Sequence, residues 1–133
     1  MNNKKGFGLI TAIIFIAVSL STILLISAKV NYSSTKEELL QEWFTSFYLA
    51  EGGIEYGKAK LFKNSKWYTD INLAKDSANW LKEKAVGEIV EVDKGYKMKI
   101  VREKSSDEIY SLGFYKSSCV IISYENGKIR EVN

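Results

Sequence analysis

The stretch GFGLITAIIFIAVSLSTILLISAKV, residues Gly6 to Val30, decides the fold of this chain, because no charge interrupts it before Lys29. From Phe7 to Ala28 it runs for about 22 residues, roughly 33 Å as a helix at about 1.5 Å per residue, against a bilayer hydrocarbon core of about 30 Å. Three readings compete: a buried core helix, a cleaved secretory signal and a retained membrane span. A core helix of a small globular domain is amphipathic. Here the polar interruptions are Thr11, Ser19, Ser21, Thr22 and Ser27, all small enough to bond back to the helix backbone. A secretory signal has an apolar region of about 7 to 15 residues and a small-x-small cleavage site. This run is longer, and Ile26-Ser27-Ala28 is a poor site. The retained span fits best, with Lys4 and Lys5 holding its amino end in the cytoplasm.

Beyond the span about 100 residues remain, enough for one small extracytoplasmic domain. The chain carries 19 basic and 16 acidic side chains, and without Lys4 and Lys5 the count is 17 against 16. Such a balance sets up no field to attract nucleic acid, so nucleic acid is not expected as a partner. Only Arg102 and Arg130 are arginine, which leaves few candidates for bidentate phosphate recognition. Cys119 is the single cysteine, so no internal disulfide can form. Histidine is absent, and with it the commonest general base and metal ligand. Neither a Gly-rich phosphate loop nor a metal-spaced set of acids or cysteines is present. These absences predict no catalytic residue, no metal site and no cofactor, and a chain that is not an enzyme.

After the span, NYSSTK (31–36) leaves two readings open. Either the helix breaks and restarts, with Thr35 and Glu38 as a capping box, or it runs on. From Glu37 to Phe62 the helical period is strong: Trp43, Phe47, Ala50, Ile54, Gly57 and Leu61 form one stripe. Gly53 and Gly57 beside Ala50 would let a sheet or another helix approach closely, a reason for glycines that each cost about 1 kcal/mol in a helix interior. Glu51 reads as a solvated charge near Glu55 and Lys58. Lys66 to Asn72 reads as a loop tied down by Trp67, Tyr68 and Ile71. Asp76 or Ser77 can cap a short helix through Val86, with Trp80, Leu81 and Ala85 on its apolar side and Gly87 as its stop.

From Glu88 the period becomes that of strands. Ile89 to Val92 and Tyr96 to Arg102 flank the turn Asp93-Lys94-Gly95, and Ile109 to Tyr115 and Ser118 to Tyr124 make a second pair. Asn126-Gly127 then turns into a last strand, Ile129 to Val132. Tyr96, Met98 and Ile100 alternate with Lys97 and Lys99, which predicts a half-buried sheet with a solvated face. Lys94, Lys104 and Lys128 read as part of a solvated edge, since Glu91, Glu103 and Glu108 are interspersed. Cys119 alternates with Ile121 and reads as a small buried apolar residue.

Lys4-Lys5-Gly6-Phe7 followed by a long apolar helix resembles the class III signal of type IV prepilins. Ala50-Glu51-Gly52-Gly53-Ile54 is similar to a stretch in the same helix of PilX-like minor pilins and K-type pseudopilins, and Ile109-Tyr-Ser-Leu-Gly113 resembles the I-x-S-x-G strand of PilX-like pilins. The resemblance covers the first 60 or so residues and, more weakly, the strand near Gly113. It implies cleavage by prepilin peptidase after Gly6 and N-methylation of Phe7. Its assembly helix would include Phe7, Thr11 and Phe15, and its packing segment Trp43, Phe47, Ala50, Glu51, Gly53, Ile54 and Gly57. One departure stands out: most prepilins have a glutamate at the fifth mature position, where this chain has Thr11. Threonine cannot pair with a neighbour's amino terminus as a carboxylate can, which suits a filament end better than its repeating body.

The expectation is therefore an α+β protein with a long N-terminal helix, a transmembrane half plus an amphipathic half, packed on a small antiparallel β-sheet in the manner of type IV pilins. Its parts are a leader (1–6), a transmembrane and assembly helix (7–30) and a pilin-like domain (31–133). That domain holds a helix at about 35–63, a loop and short helix at 64–87 and strands over 88–133. By the resemblance its partners are prepilin peptidase, membrane lipid before assembly, an inner-membrane assembly platform and other pilin or pseudopilin subunits. It would sit in the cytoplasmic membrane with its C-terminal domain outside, then in a type IV pilus or secretion pseudopilus. The alternative is an unprocessed single-pass anchor bearing a binding domain.

Overall fold

A computed structural model of the chain describes residues 3–71 and 77–133, with side chains from Phe7 onward. Met1 and Asn2 of the expected leader lie outside the described residues, as does Asp76, one of the two candidate caps. The packing divides the chain into two compact units, Met1–Glu38 and Leu39–Asn133. The elements in order are α1 (Asn3–Lys63), α2 (Ala78–Glu83), β1 (Glu88–Asp93), β2 (Tyr96–Arg102), β3 (Ile109–Tyr115), β4 (Ser118–Glu125) and β5 (Lys128–Glu131).

The first unit is helical. Its hydroxyls are turned back onto the backbone: Thr11 donates to the Phe7 carbonyl at 2.8 Å, Ser19 to Phe15 at 2.8 Å, Ser21 to Ala17 at 2.8 Å and Thr22 to Val18 at 2.9 Å. Four of the five polar interruptions thus satisfy themselves within their own turn, and the helix shows an apolar surface outward. Residues 31–36 are also helical. Thr35 donates to the Asn31 carbonyl at 3.0 Å, the bond of a threonine inside a helix, so it does not act as a cap where a new helix starts.

In the second unit β1 to β5 form one antiparallel meander in sequence order. Short-range turn chemistry explains the neighbour-to-neighbour order. The β4–β5 turn places Asn126 and Gly127 at φ 50° and 79°, the left-handed pair of a two-residue hairpin, and Gly95 at φ 84° serves the β1–β2 turn. Both faces of the central strands β2 to β4 are covered, while β1 and β5 are largely exposed. On one, Met98, Ile100, Ile109, Val120 and Ile122 pack with Ala50 and Ile54 of α1. On the other, Val101, Tyr110, Leu112 and Ile121 pack with Leu81 and Ala85.

That second layer corrects several expectations. Lys97 is exposed as the alternation predicts, but the lysine face is not solvated throughout: Lys99 is only 8% exposed, and its ammonium donates to the Leu81 carbonyl at 2.9 Å and the Lys82 carbonyl at 3.3 Å. It supplies donors to the carbonyls at the end of α2, and burial pushes its pKa down. Ser77 caps α2 by accepting from the Trp80 amide, but the helix ends at Glu83 rather than Val86. The Val86 amide is taken by the Asp70 carboxylate at 2.8 Å, which diverts the chain from the helical ladder. Gly87 is needed for contact, not as a stop, since a Cβ there would lie 2.7 Å from Lys99 Cγ and 2.9 Å from the Ile100 carbonyl oxygen. Of the three residues expected to tie down the loop after α1, Trp67 packs against the core, whereas Tyr68 and Ile71 are exposed. Backbone bonds do the tying instead: the Thr69 and Asp70 amides donate to the Arg102 carbonyl at 2.9 and 3.0 Å.

Candidate functional site

The candidate site is α1 itself, with a lipid-compatible surface in the first unit and a sheet-binding face in the second. Phe7 to Val30 is apolar, and its most apolar 18-residue window is 0% buried among the described residues. Phe7 and Phe15 are 74% and 70% exposed. One helix in the chain, Phe7–Lys63 among the described residues, is long and apolar enough to cross a membrane. Such a surface is stable only in lipid or against other protein. Gly6 lies in the same helix. Thr11 holds its hydroxyl on the Phe7 carbonyl and carries no carboxylate for a partner.

In the second unit Ala50, Gly53, Ile54 and Gly57 are buried against the sheet, with Trp43 and Phe47 partly buried at the rim. Trp43 stacks on Phe47, their ring centres 5.3 Å apart. The centre of the contact is a size-matched seam. A Cβ on Gly57 would lie 3.0 Å from Ile109 Cγ2, and one on Gly53 would run into the Ser111 hydroxyl and lie 3.1 Å from Ser111 Cβ. On the opposite side, a Cβ on Gly113 would lie 2.7 Å from the Ala50 amide nitrogen and closer still to the Ser46 carbonyl oxygen. The alternate residues Ile109, Ser111 and Gly113 thus shrink along β3 as the helix backbone draws nearer, which gives the I-x-S-x-G spacing a physical reason. Glu51 is half-buried, while Lys58 pairs with Glu55 at 2.6 Å.

Two polar residues on the contact line were missed by reasoning from sequence. Glu42, nearly buried, accepts from the Ser117 hydroxyl at 2.8 Å and pairs with Lys116 at 3.5 Å, and the Ser46 hydroxyl donates to the Ser118 carbonyl at 3.2 Å. They fasten α1 to the β3–β4 turn, where Lys116 takes a left-handed backbone at φ 50°. Their signal was the spacing 42, 46, 50, 53, 57, a row one residue across from the aromatic stripe. At the other end of the contact the Tyr56 hydroxyl donates to Glu88, and Lys60 approaches the same carboxylate at 3.2 Å. The Tyr56 bond, with help from Lys60 and Trp67, holds the Glu88 pKa below the usual carboxylate value against the opposing effect of burial.

Cys119 is half-buried beside the α2-side core, and burial pushes its thiol up, away from the reactive thiolate. Among the described residues no three His, Cys, Asp or Glu side chains gather as metal ligands. The arrangement is that of an apolar helix whose lower part is fixed on a sheet by small residues, compatible with a pilin-like fold or a membrane-anchored protein. No protein-family model matches the chain, and neither a characterised protein nor a solved structure matches it.

Proposed function

We propose that the chain is a minor pilin or pseudopilin, cut by prepilin peptidase after Gly6, N-methylated at Phe7, and assembled through its N-terminal helix into a type IV pilus or secretion pseudopilus. The observation that carries this reading is the uncovered apolar surface of Phe7 to Val30 on the same helix whose residues Ala50, Gly53 and Gly57 are seated on the sheet. Its mechanism is transfer between two environments. The helix first lies in lipid, then leaves it at an inner-membrane assembly platform to pack against equivalent helices of other subunits, while the sheet domain faces outward. No chemistry is assigned to it. Because Thr11 offers no carboxylate, the subunit can present its Phe7 amine to a neighbour's acid but cannot return the pair, which suits a filament end better than the repeating body.

The same threonine favours a second reading, an unprocessed single-pass anchor that carries a binding domain and never polymerises. Mass spectrometry of the amino terminus from a peptidase-competent cell separates the two. A chain that begins at methylated Phe7 is expected; retention of Met1 to Gly6 sinks the proposal. Immunogold labelling of sheared filaments should then decorate ends, and uniform labelling along the shaft would remove the terminal placement.

A further inference from the structure

Where the loop after α1 meets the end of β2, Ser65, Lys66, Tyr68, Arg102 and Lys104 line a cavity of about 290 Å³. Three of these five residues are cationic and none is acidic. The cavity is built on a fixed frame. Besides the two amides that donate to the Arg102 carbonyl, the Arg102 amide donates to Thr69 Oγ1 at 2.9 Å and the Lys104 amide to the Asp70 carbonyl at 2.9 Å. The loop also closes on itself, with the Lys66 amide on Asn64 Oδ1 at 3.1 Å and the Trp67 amide on the Asn64 carbonyl at 2.9 Å. The Lys104 ammonium stands 5.6 Å over the Tyr68 ring, and Tyr68 is itself partly exposed to solvent.

Arg102 gives this cluster its direction. The residue is only 7% exposed; its guanidinium donates to the Trp67 carbonyl and approaches Asp107 at 3.5 Å, a carboxylate that is itself almost wholly in water. Among the described residues its Nε is buried with no acceptor. The buried guanidinium has, among the described residues, an unused donor and one counter-ion, Asp107, which is solvated, so its charge is incompletely compensated, and two lysines beside it add charge of the same sign. Every polar side chain in the wall can donate a hydrogen bond: a guanidinium, two ammonium groups, a serine hydroxyl and a tyrosine hydroxyl.

We propose that this cavity binds a tetrahedral oxyanion of the phosphate class, either free or carried in a phosphodiester polymer. The lysines act as point charges and the arginine as a fixed positive wall, the combination that suits phosphate oxygens. The cavity is larger than one such anion, and Tyr68, which lines it, offers ring carbons to the carbon atoms of a carrier. The site stands whether or not the chain enters a filament.

The test is isothermal titration of the full chain in neutral detergent with inorganic phosphate and, separately, with a short glycerol-phosphate oligomer at equal phosphate-group concentration. Saturable binding is expected, weakened by about tenfold or more in the double variant Lys66→Ala/Lys104→Ala, whose side chains are exposed and carry no core packing. A control that removes two lysines elsewhere, Lys94→Ala/Lys128→Ala, should change it less than about twofold. Tighter binding of the oligomer assigns the site to a polymer, and equal binding assigns it to the free anion. No saturable binding to either probe, an unaffected Lys66→Ala/Lys104→Ala variant, or equal loss in both double variants would overturn the proposal, the last by reducing it to non-specific attraction.

Discussion

Gly113→Ala is the sharpest test of how α1 sits on the sheet. The added methyl would lie 2.7 Å from the Ala50 nitrogen, 2.9 Å from the Ser46 carbonyl carbon and nearer still to the Ser46 oxygen. All three are backbone atoms of a helix, so no rotamer change relieves the clash. The helix must lift from β3 by roughly 1.5 Å to restore ordinary contact with the Ser46 carbonyl oxygen, the nearest of the three atoms, and the surrounding fully buried Ala50 and Ile54 would lose contact on lifting. The Ser46 and Glu42 bonds to the β3–β4 turn would stretch with them. Overpacking of this kind costs about 1–3 kcal/mol, and the backbone clash places Gly113→Ala at about 3 kcal/mol. At about 4–8 °C per kcal/mol for a domain of this size, the melting temperature should fall by roughly 12–24 °C. Gly52→Ala is the matched contrast: its methyl would meet only Met98 Sδ at 3.9 Å on an otherwise exposed position, so helix propensity should make it stabilising by about 0.5–1 kcal/mol. The assay is urea and thermal unfolding of the full chain in neutral detergent, followed by tryptophan fluorescence and near-ultraviolet circular dichroism. If Gly113→Ala melts within about 3 °C of the parent, the described seat of α1 on β3 is wrong.

Two further predictions concern polar groups along the same contact. Ser111 Oγ is buried without a partner and blocks a side chain at Gly53, so Gly53→Ala should destabilise by about 1–3 kcal/mol, and Ser111→Ala made with it should recover at least about 0.5 kcal/mol in a double-mutant cycle; strict additivity would count against the contact. Because the native Glu88 pKa is lowered, the unfolded chain binds more protons between that value and about 4.5. The stabilisation is therefore present above about pH 4.5 and is lost as pH falls through the native value. Tyr56→Phe should be destabilising near neutrality, and its difference from the parent should shrink in acid; a gap that widens as pH falls would refute the assignment.

Much of the architecture was legible because it rests on short-range chemistry. Gly95 and Asn126-Gly127 announce their hairpins through the backbone angles they tolerate, and β2 and β3 begin and end where alternation and turn residues place them. The Ala50, Gly53 and Gly57 cluster in an otherwise good helix pointed to a close approach, and β3 supplies it. What could not be read were the tertiary partners of polar residues. Lys99 alternates like a solvent-facing lysine, yet its surroundings depend on α2 folding back across the sheet. Glu42 and Ser46 look like ordinary helix-surface residues until the β3–β4 turn arrives beside them. The extent of α2 was misjudged for the same reason: Asp70, 16 residues from Val86 in sequence, claims the amide that another turn would need.

By itself, then, the sequence determined a membrane-capable apolar helix, an amphipathic continuation with a small-residue seam, and a strand-rich end, since length, periodicity and turn residues act within a few positions along the chain. Only the tertiary structure decided that residues 31–36 stay helical, that both faces of the central strands are covered, and that Arg102, Lys66 and Lys104 gather around one cavity. Those outcomes depend on which donors, acceptors and charges meet across long sequence separations. Local patterns do not encode such meetings: the free energy of a buried polar group is set by the partner that folding brings to it.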